Sequence, residues 1–152
     1  SIGRQFEWHA IDNSPSWYER CEDALSGTPF EDQVHLHCRE FPAFWQLPDY
    51  SINNPVPAES WNDSEAVFEY VNLPTTLEFP FDVIIIDGRY RRRCLLAAKE
   101  ALAKGGTVYL HDAQREWYYP SLSVYGRVDF SETGIIPGTK QASKIAVCRV
   151  SK

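Results

Sequence analysis

The sequence predicts an α/β domain whose sheet is mostly parallel and ends in an antiparallel hairpin. Residues 83–86 form a continuous β-branched run, which is typical of a strand covered on both faces in a parallel sheet. A helical stripe of apolar residues follows and is expected to stop at residues 104–106, before a second strand at 107–110, which makes a βαβ unit. A Pro-Gly pair then joins residues 128–136 to 143–150, and so short a join makes these two strands antiparallel.

The N-terminal part of the chain predicts a similar unit. Residues 5–11 are aromatic and apolar, as in a short strand, and they lead into Asp12. Ser14 and Pro15 then have the identities expected of an N-cap and a first helical position. The predicted helix carries its apolar residues on one stripe, made of Trp17, Tyr18, Cys21, Ala24 and Leu25. Residues 34–38 alternate as the next short strand.

Residues 41–80 interrupt this regular pattern. They contain six prolines and several scattered aromatic residues, with one possible short helix at residues 64–71. A loop of this length inside a compact domain is usually functional or disordered, and the aromatic side chains favour an ordered lid. We therefore predict a single domain over residues 1–152 with a loop or lid insertion at 41–80.

The composition excludes several classes of partner and location. A net charge of −6 and a pI near 5.2 argue against a nucleic-acid or membrane surface as the main partner. No apolar run is long enough to span a bilayer and the N-terminus has no signal-peptide pattern, so we expect a cytoplasmic protein. The four cysteines lie far apart, which favours buried free thiols over disulfides or a zinc knuckle. Nothing in the composition indicates an oligomeric state.

Acidic residues stand where several predicted strands end. Asp12, Glu40, Asp87 and Asp112 all have this position, and ligands of open parallel sheets bind beyond the carboxyl ends of the strands. A carboxylate at the position of Asp12 can accept hydrogen bonds from both hydroxyls of a ribose. The alternative is that Asp12 only caps the helix that follows.

The residues from 81 to 112 carry a family resemblance. The pattern F-D-V-I-I-I-D-G, then a helix, then K-G-G-T-V-Y-L-H-D and a terminal hairpin, resembles the class I S-adenosylmethionine-dependent methyltransferases. Residues 10–21 (A-I-D-N-S-P-S-W-Y-E-R-C) look like the second strand and helix of that family. The D-G-R-x-R-x-x-C variant at residues 87–94 resembles a methyltransferase-like subgroup. The resemblance implies a Rossmann-like, mostly parallel sheet with helices on both faces and a C-terminal antiparallel hairpin.

The resemblance also implies a cofactor, a reaction and a set of roles. The cofactor would be S-adenosylmethionine, with Asp12 and the adjacent Asn13 at the ribose, Glu40 on the adenine side and Asp87 at the cofactor or acceptor. We expect O-methylation of a small hydroxylated or anionic acceptor. His111 is the candidate general base, because its ordinary pKa is near neutrality and its position faces the predicted cleft.

The chain departs from the family at its N-terminus. The first strand of the family and its glycine-rich turn should precede residue 5, and residues 1–4 cannot supply them. The sequence also contains no methionine, even at position 1. We therefore expect the chain to be a fragment that lacks this unit.

Arginines and aromatic residues add candidates for the acceptor site. Arg91, Arg92 and Arg93 lie in the first turn of a predicted helix, where the dipole disfavours cations. We therefore expect Arg89 and at least one of these three, with Arg91 as the candidate, to serve an anion. The alternative is a solvated helix face or a pair with Asp87. Trp117 and Tyr118 follow a strand where methyltransferases commonly line the substrate pocket, although packing in the core explains them equally well.

Metal binding and two other functions remain open from the sequence. Asp87 and Asp112 could together hold a divalent cation such as Mg²⁺, as strand-end acids do in catechol-type O-methyltransferases. His35 and His37 share one face of a strand, which is a weak metal signal. The alternatives to a methyltransferase are a nicotinamide-dependent oxidoreductase and a non-catalytic interaction domain. The terminal hairpin and the absence of a G-x-G-x-x-G motif disfavour the oxidoreductase.

Overall fold

A computed structural model describes residues 6–42 and 64–150, and six strands and four α-helices form within these two ranges. In chain order they are β1 (Trp8–Asp12), α1 (Pro15–Leu25), β2 (Val34–Cys38), α2 (Glu65–Thr76), β3 (Phe81–Ile86), α3 (Arg91–Ala101), β4 (Leu102–Leu110), α4 (Tyr119–Leu122), β5 (Arg127–Ile135) and β6 (Ala142–Arg149). Short 3-10 turns precede β2 and α4.

The strands form two sheets. β1 and β2 pair in parallel, and the other four strands follow the order β3-β4-β6-β5. β3 and β4 are parallel, whereas β6 runs antiparallel to both β4 and β5. The predicted βαβ unit and the predicted terminal hairpin are therefore both confirmed. The fold is mixed α/β with a Rossmann-like arrangement, as the sequence predicts.

The main core lies on one face of the four-stranded sheet. Leu95 and Ala98 of α3 pack there against inward-facing residues of β3, β4 and β6. Val108, Leu110 and Cys148 on these strands are fully buried because alternate residues of a strand share one face. Burial raises the pKa of the Cys148 thiol to about 11, so this cysteine stays a neutral thiol near neutral pH.

Two helix boundaries differ from the sequence prediction. α2 begins after Ser64, whose hydroxyl accepts a hydrogen bond from the Val67 N–H at 3.4 Å, and continues to Thr76 instead of residue 71. α3 ends at Ala101 instead of at residues 104–106, because Leu102 already pairs with Phe81 on β3. The glycines of the K-G-G segment instead form an irregular stretch inside β4.

The outer helix α1 is less buried than predicted. Trp17 is 58% exposed, none of the residues of α1 is buried in the described structure, and Cys21 is exposed as well. The prediction of buried thiols holds for Cys148 and is wrong for Cys21. None of the helices in the described part of the chain has the length and apolar character needed to cross a bilayer.

A slot separates the two sheets. It is a cavity of about 460 Å³ between the facing edges of β1 and β3, with residues of α2 along one side. Neither edge has a strand partner in the described structure. Val83 and Ile85 of β3 are 48% and 63% exposed, although they belong to a run predicted to be covered on both faces. The aromatic part of the predicted lid, residues 43–63, lies outside the described residues.

Candidate functional site

The carboxyl ends of β1, β2 and β3 surround a second cavity, of about 550 Å³. It is lined by Asp12, Asn13, Ser14, Pro15, Trp17, Glu40, Phe41, Asp87, Gly88 and Arg89. All four residues expected to bind a cofactor are in this set, although they come from three separate strand ends. We refer to this cavity as the strand-end pocket.

Asp12 begins the turn between β1 and α1. Its Oδ1 accepts a hydrogen bond from the Ser14 N–H at 2.7 Å, while the Ser14 side chain itself makes no capping hydrogen bond. Asp12 therefore supports the start of the helix, as one of the two sequence interpretations has it. Its other oxygen has no hydrogen-bond partner among the described residues, so the carboxylate can still accept a bond from a ligand in the pocket.

The D-G-R turn after β3 is shaped by Tyr70 of α2. A Cβ atom on Gly88 would lie 2.0 Å from the Tyr70 hydroxyl oxygen, so any larger residue at this position would have to displace the Tyr70 side chain. The Arg89 N–H donates a hydrogen bond to that hydroxyl at 3.1 Å. Burial raises the pKa of Tyr70 to about 12, so the phenol stays protonated near neutral pH. These contacts hold the backbone of Arg89 at the pocket wall.

The same turn places Tyr90 in a strained conformation. Tyr90 has a φ of 50°, in the left-handed region that bulky residues rarely adopt, and its side chain is 1% exposed. Phe41 packs edge-on against its ring, with 5.4 Å between the ring centroids. Burial of the ring compensates for the backbone strain and fixes the direction in which α3 leaves the turn.

A histidine-aspartate pair joins the ends of β3 and β4. The distance from His111 Nδ1 to Asp87 Oδ1 is 2.8 Å. The backbone N–H of His111 donates a hydrogen bond to the Ile86 carbonyl at 3.0 Å. The imidazole is 42% exposed, so its other nitrogen can be reached from solvent. When Nδ1 carries the proton that Asp87 accepts, Nε2 has a free lone pair and can accept a proton from a substrate.

The Arg91 side chain forms hydrogen bonds within the protein. Its guanidinium donates hydrogen bonds to the carbonyl oxygens of Asp87 at 2.7 Å, Gly88 at 2.9 Å and His111 at 2.7 Å. The side chain is only 12% exposed. Its donors are already directed at three carbonyl groups, which favours an internal role for Arg91 over the expected binding of an external anion. The guanidinium instead ties the β3 turn to the end of β4.

Arg91 also lies between the two carboxylates that the sequence offers to a divalent cation. Its Nη2 is 3.1 Å from Asp87 Oδ1, and its Nη1 is 3.5 Å from Asp112 Oδ2. Asp112 also pairs with Arg115 at 3.4 Å. A guanidinium already supplies positive charge between these acids, so the geometry does not support the expected Mg²⁺ site at Asp87 and Asp112.

The environment of Asp112 favours its ionised form. Burial by itself would raise the pKa of this carboxyl, but the nearby Arg115, Arg91 and His111 lower it, and the net pKa is lowered. Asp112 has a φ of 56°, which aspartate tolerates better than most residues. These ion pairs tie Asp112 to Arg91 and Arg115, and Asp112 is not among the described residues that line the strand-end pocket.

The two aromatic residues expected at the substrate pocket lie elsewhere. Tyr118 is 3% exposed and belongs to the main core, while Trp117 is half-buried and packs against the same core. The Arg115 guanidinium lies over the Trp117 ring, 5.8 Å from its centroid. The Tyr118 ring has almost no accessible surface, and both residues pack with the core, which favours the core-packing alternative over the predicted substrate role.

In contrast to Arg91, Arg89 has a side chain that a ligand in the strand-end pocket can contact. Arg89 is exposed, lines the strand-end pocket and makes no ion pair with the described residues. It therefore remains the arginine best placed to meet an anionic group. The sequence indicated His35 as a weak metal candidate but did not indicate two further ligands: His9 lies beside His35 in the register of β1 and β2, and Glu7 is close to both. The alternation of β1 was the signal that could have shown His9.

Comparison with known proteins identifies the fold. No family model and no curated protein matches the sequence. A putative rRNA-methylase from Clostridium thermocellum matches in structure, with a TM-score of 0.60 over 99% of this chain and 76% of that chain. An S-adenosylmethionine-dependent O-methyltransferase from Thermotoga maritima gives a TM-score of 0.57 over 100% of this chain and 53% of that chain. The fold is methyltransferase-like.

Sequence identity to these proteins is low. It is 11% for the Clostridium protein, 13% for the Thermotoga protein and 14% for a precorrin 8W decarboxylase from Methanobacterium thermoautotrophicum. That third structure has a TM-score of 0.57 and aligns over 95% of this chain and 70% of its own. At such identities the similarity establishes the methyltransferase-like fold, and an activity has to be inferred from the residues of this chain.

Proposed function

We propose that this chain contains the cofactor-binding pocket of an S-adenosylmethionine-dependent methyltransferase. The observation that carries the proposal is the strand-end pocket, in which Asp12, Asn13, Glu40 and Asp87 converge from three strands. In doubly wound folds this edge of the sheet is where nucleotide-like ligands bind. The methyltransferase-like fold supports this choice of cofactor.

The pocket has donors and acceptors suited to that cofactor. Its volume of about 550 Å³ falls within the usual range for small-molecule sites. The exposed carboxylates of Asp12 and Glu40 suit the hydroxyl and amino hydrogens of an adenosine. Asp12 would hold the ribose with Asn13 beside it, and Glu40 would bind on the adenine side.

The His111–Asp87 pair would provide general base catalysis. S-adenosylmethionine supplies an electrophilic methyl group when bound. His111 Nε2 would take the proton of an acceptor hydroxyl, while Asp87 holds the proton on Nδ1 and stabilises the imidazolium that forms. Placing the acceptor in line with the methyl group would supply most of the rate enhancement.

We infer a small hydroxylated or anionic acceptor, with Arg89 as the residue that meets its negative charge. The exposed position of Arg89 at the pocket supports this assignment. A nucleic-acid acceptor is the second candidate, because two structural neighbours are described as rRNA methylases, one of them as putative. The net charge of −6 favours the small molecule, since a nucleic-acid surface is usually basic.

We infer further that the slot between β1 and β3 receives the first strand of the family. The edges of β1 and β3 lack strand partners in the described structure, and both belong to parallel pairs. A parallel strand in the slot would pair with both edges and join the two sheets into one. It would also cover apolar surface that is now exposed at Val83 and Ile85.

Calorimetry on the full-length encoded protein tests the cofactor assignment. We expect S-adenosylmethionine to bind, and NAD to bind much more weakly or not at all. Asp12→Ala should weaken cofactor binding at least about tenfold, which is the scale of one lost charged hydrogen bond. Asp23→Ala, an exposed acid on α1 outside the pocket, is the matched control. Equal affinity in both variants would leave Asp12 with its helix-supporting role alone.

A further inference from the structure

Three histidines share one face of the two-stranded sheet. The parallel register of β1 and β2 places His9 directly beside His35, and strand periodicity puts His37 on the same face. Their rings stack, with centroids 4.7 Å apart for His9 and His35 and 5.5 Å apart for His9 and His37. Glu7, just before β1, reaches the same place.

The atoms of this cluster have the separations of metal ligands. Glu7 Oε1 lies 3.2 Å from His9 Nε2 and 3.4 Å from His35 Nε2. All three atoms lie within 4.8 Å of one another. Ligands bound tetrahedrally to Zn²⁺ at about 2.0–2.1 Å are about 3.3–3.4 Å apart, so the two shorter distances match without movement of the strands.

The surroundings orient one of the imidazoles. His9 Nδ1 is 3.2 Å from His37 Nε2, so His9 can donate its Nδ1–H to His37 and direct the lone pair of Nε2 towards Glu7. Metal-bound histidines usually have such a partner for their second nitrogen. The rings of Phe79 and Phe81 lie 5.4 Å and 5.9 Å from the His9 ring and restrict it further.

One side of the cluster is open to solvent. The His9 side chain is only 9% exposed, whereas His35 and Glu7 are about half exposed. An ion can therefore enter from the side of His35 and Glu7, and a water molecule can complete a tetrahedral set of ligands. Two imidazoles and one carboxylate suit Zn²⁺ better than Mg²⁺, which prefers oxygen ligands alone.

We propose that Glu7, His9 and His35 form a binding site for a divalent transition-metal ion of the zinc type, with His37 as the positioning residue for His9. The site lies three residues before Asp12 on β1, which is about 10 Å along a strand and away from the strand-end pocket. Its role is structural, because the ion would bind β1 to β2 and to the residue that precedes β1. Glu7 and His9 also line the slot between the two sheets, and the proposal depends neither on methyl transfer nor on a strand that fills this slot.

Zinc titration tests the site directly. Calorimetry with Zn²⁺ alone, in a reducing and phosphate-free buffer, should give one ion per chain and an increase in melting temperature. Glu7→Gln and His35→Gln should each weaken binding at least about tenfold, and His37→Gln should weaken it about 10–100-fold. Both primary variants change half-exposed side chains, and their melting curves without metal check that they fold.

Two control variants and a cobalt spectrum distinguish this site from zinc binding at exposed carboxylates or thiols. Glu19→Gln, an exposed carboxylate on α1, and Cys21→Ser, an exposed thiol on the same helix, should bind Zn²⁺ as the parent chain does. Co²⁺ bound to the parent chain should give d–d bands without a thiolate charge-transfer band. A thiolate band, unchanged affinity in Glu7→Gln and His35→Gln, or no stoichiometric binding would overturn the proposal. Glu7 would then only accept hydrogen bonds from the imidazoles.

Discussion

Replacing Arg91 by lysine tests whether this side chain holds the ends of β3 and β4 together. The guanidinium donates to three carbonyl oxygens, two in the turn after β3 and one at the end of β4. Lysine keeps the positive charge but has a single ammonium group in place of the planar fork. The Arg91→Lys variant should therefore keep the ion pairs in part and lose most of the hydrogen bonds.

The expected loss of stability follows from the number of bonds. A hydrogen bond to a charged group contributes about 1.5–3 kcal/mol to stability. Because lysine can satisfy about one of the three carbonyls, the other two hydrogen bonds, worth roughly 3–6 kcal/mol, would be lost. Asp87 and Gly88 are exposed residues, so water can replace part of the loss. We expect a net loss of about 2–3 kcal/mol, or roughly 5–10 °C in melting temperature for a chain of this size.

The matched control is Arg20→Lys, an exposed arginine on α1. The Arg20 guanidinium lies 5.6 Å from the centroid of the Trp17 ring, a contact that lysine can also make. Thermal and urea unfolding followed by circular dichroism would compare the two variants with the parent chain. Melting temperatures of the two variants within about 2 °C of each other would refute the special role of Arg91.

Three further predictions concern the same region. Gly88→Ala should displace Tyr70 from the turn and cost about 1–3 kcal/mol in urea unfolding through the unpaired Arg89 N–H; a parent-like midpoint would contradict this contact. The pKa of Asp112 is lowered on folding, so its contribution is present above the unfolded pKa near 4 and is lost as the pH falls through the folded pKa. Asp112→Asn should therefore have a lower free energy of unfolding than the parent chain at neutral pH. Below about pH 5 its free energy of unfolding should fall less steeply with decreasing pH than that of the parent chain, and equal slopes would contradict the linkage. His111→Gln should slow methyl transfer about 10²–10⁴-fold while cofactor binding is retained, and an unchanged rate would remove His111 as the base.

The local patterns of the sequence predicted the elements that depend on neighbours along the chain. The β-branched run at β3, the helix that follows it and the short join between β5 and β6 were sufficient to predict the parallel pair and the hairpin. Ser14 and Pro15 likewise marked the start of α1. These signals work because periodicity and turn length act over a few residues and do not need the rest of the fold.

The fate of individual side chains was harder to predict. Arg91 is an unusual cation at the start of a helix, and the sequence shows this. The sequence does not show that carbonyl groups at the ends of β3 and β4 lie within hydrogen-bond distance of its guanidinium. Tyr118 shows the same limit, since an aromatic residue after a strand suits a pocket or a core equally well. The His9–His35 pair became visible only through the register of two strands 26 residues apart in the chain.

The sequence alone determined the order of the elements, the positions of the strand-end acids and the net negative charge. Tertiary structure decided which of those acids meet in one pocket, which arginine remains exposed at it and which histidines form a cluster. The physical reason is the separation along the chain between the residues that interact. Secondary structure follows from residues a few positions apart, whereas a site is made where several strand ends converge, and that convergence depends on how the sheets and helices pack.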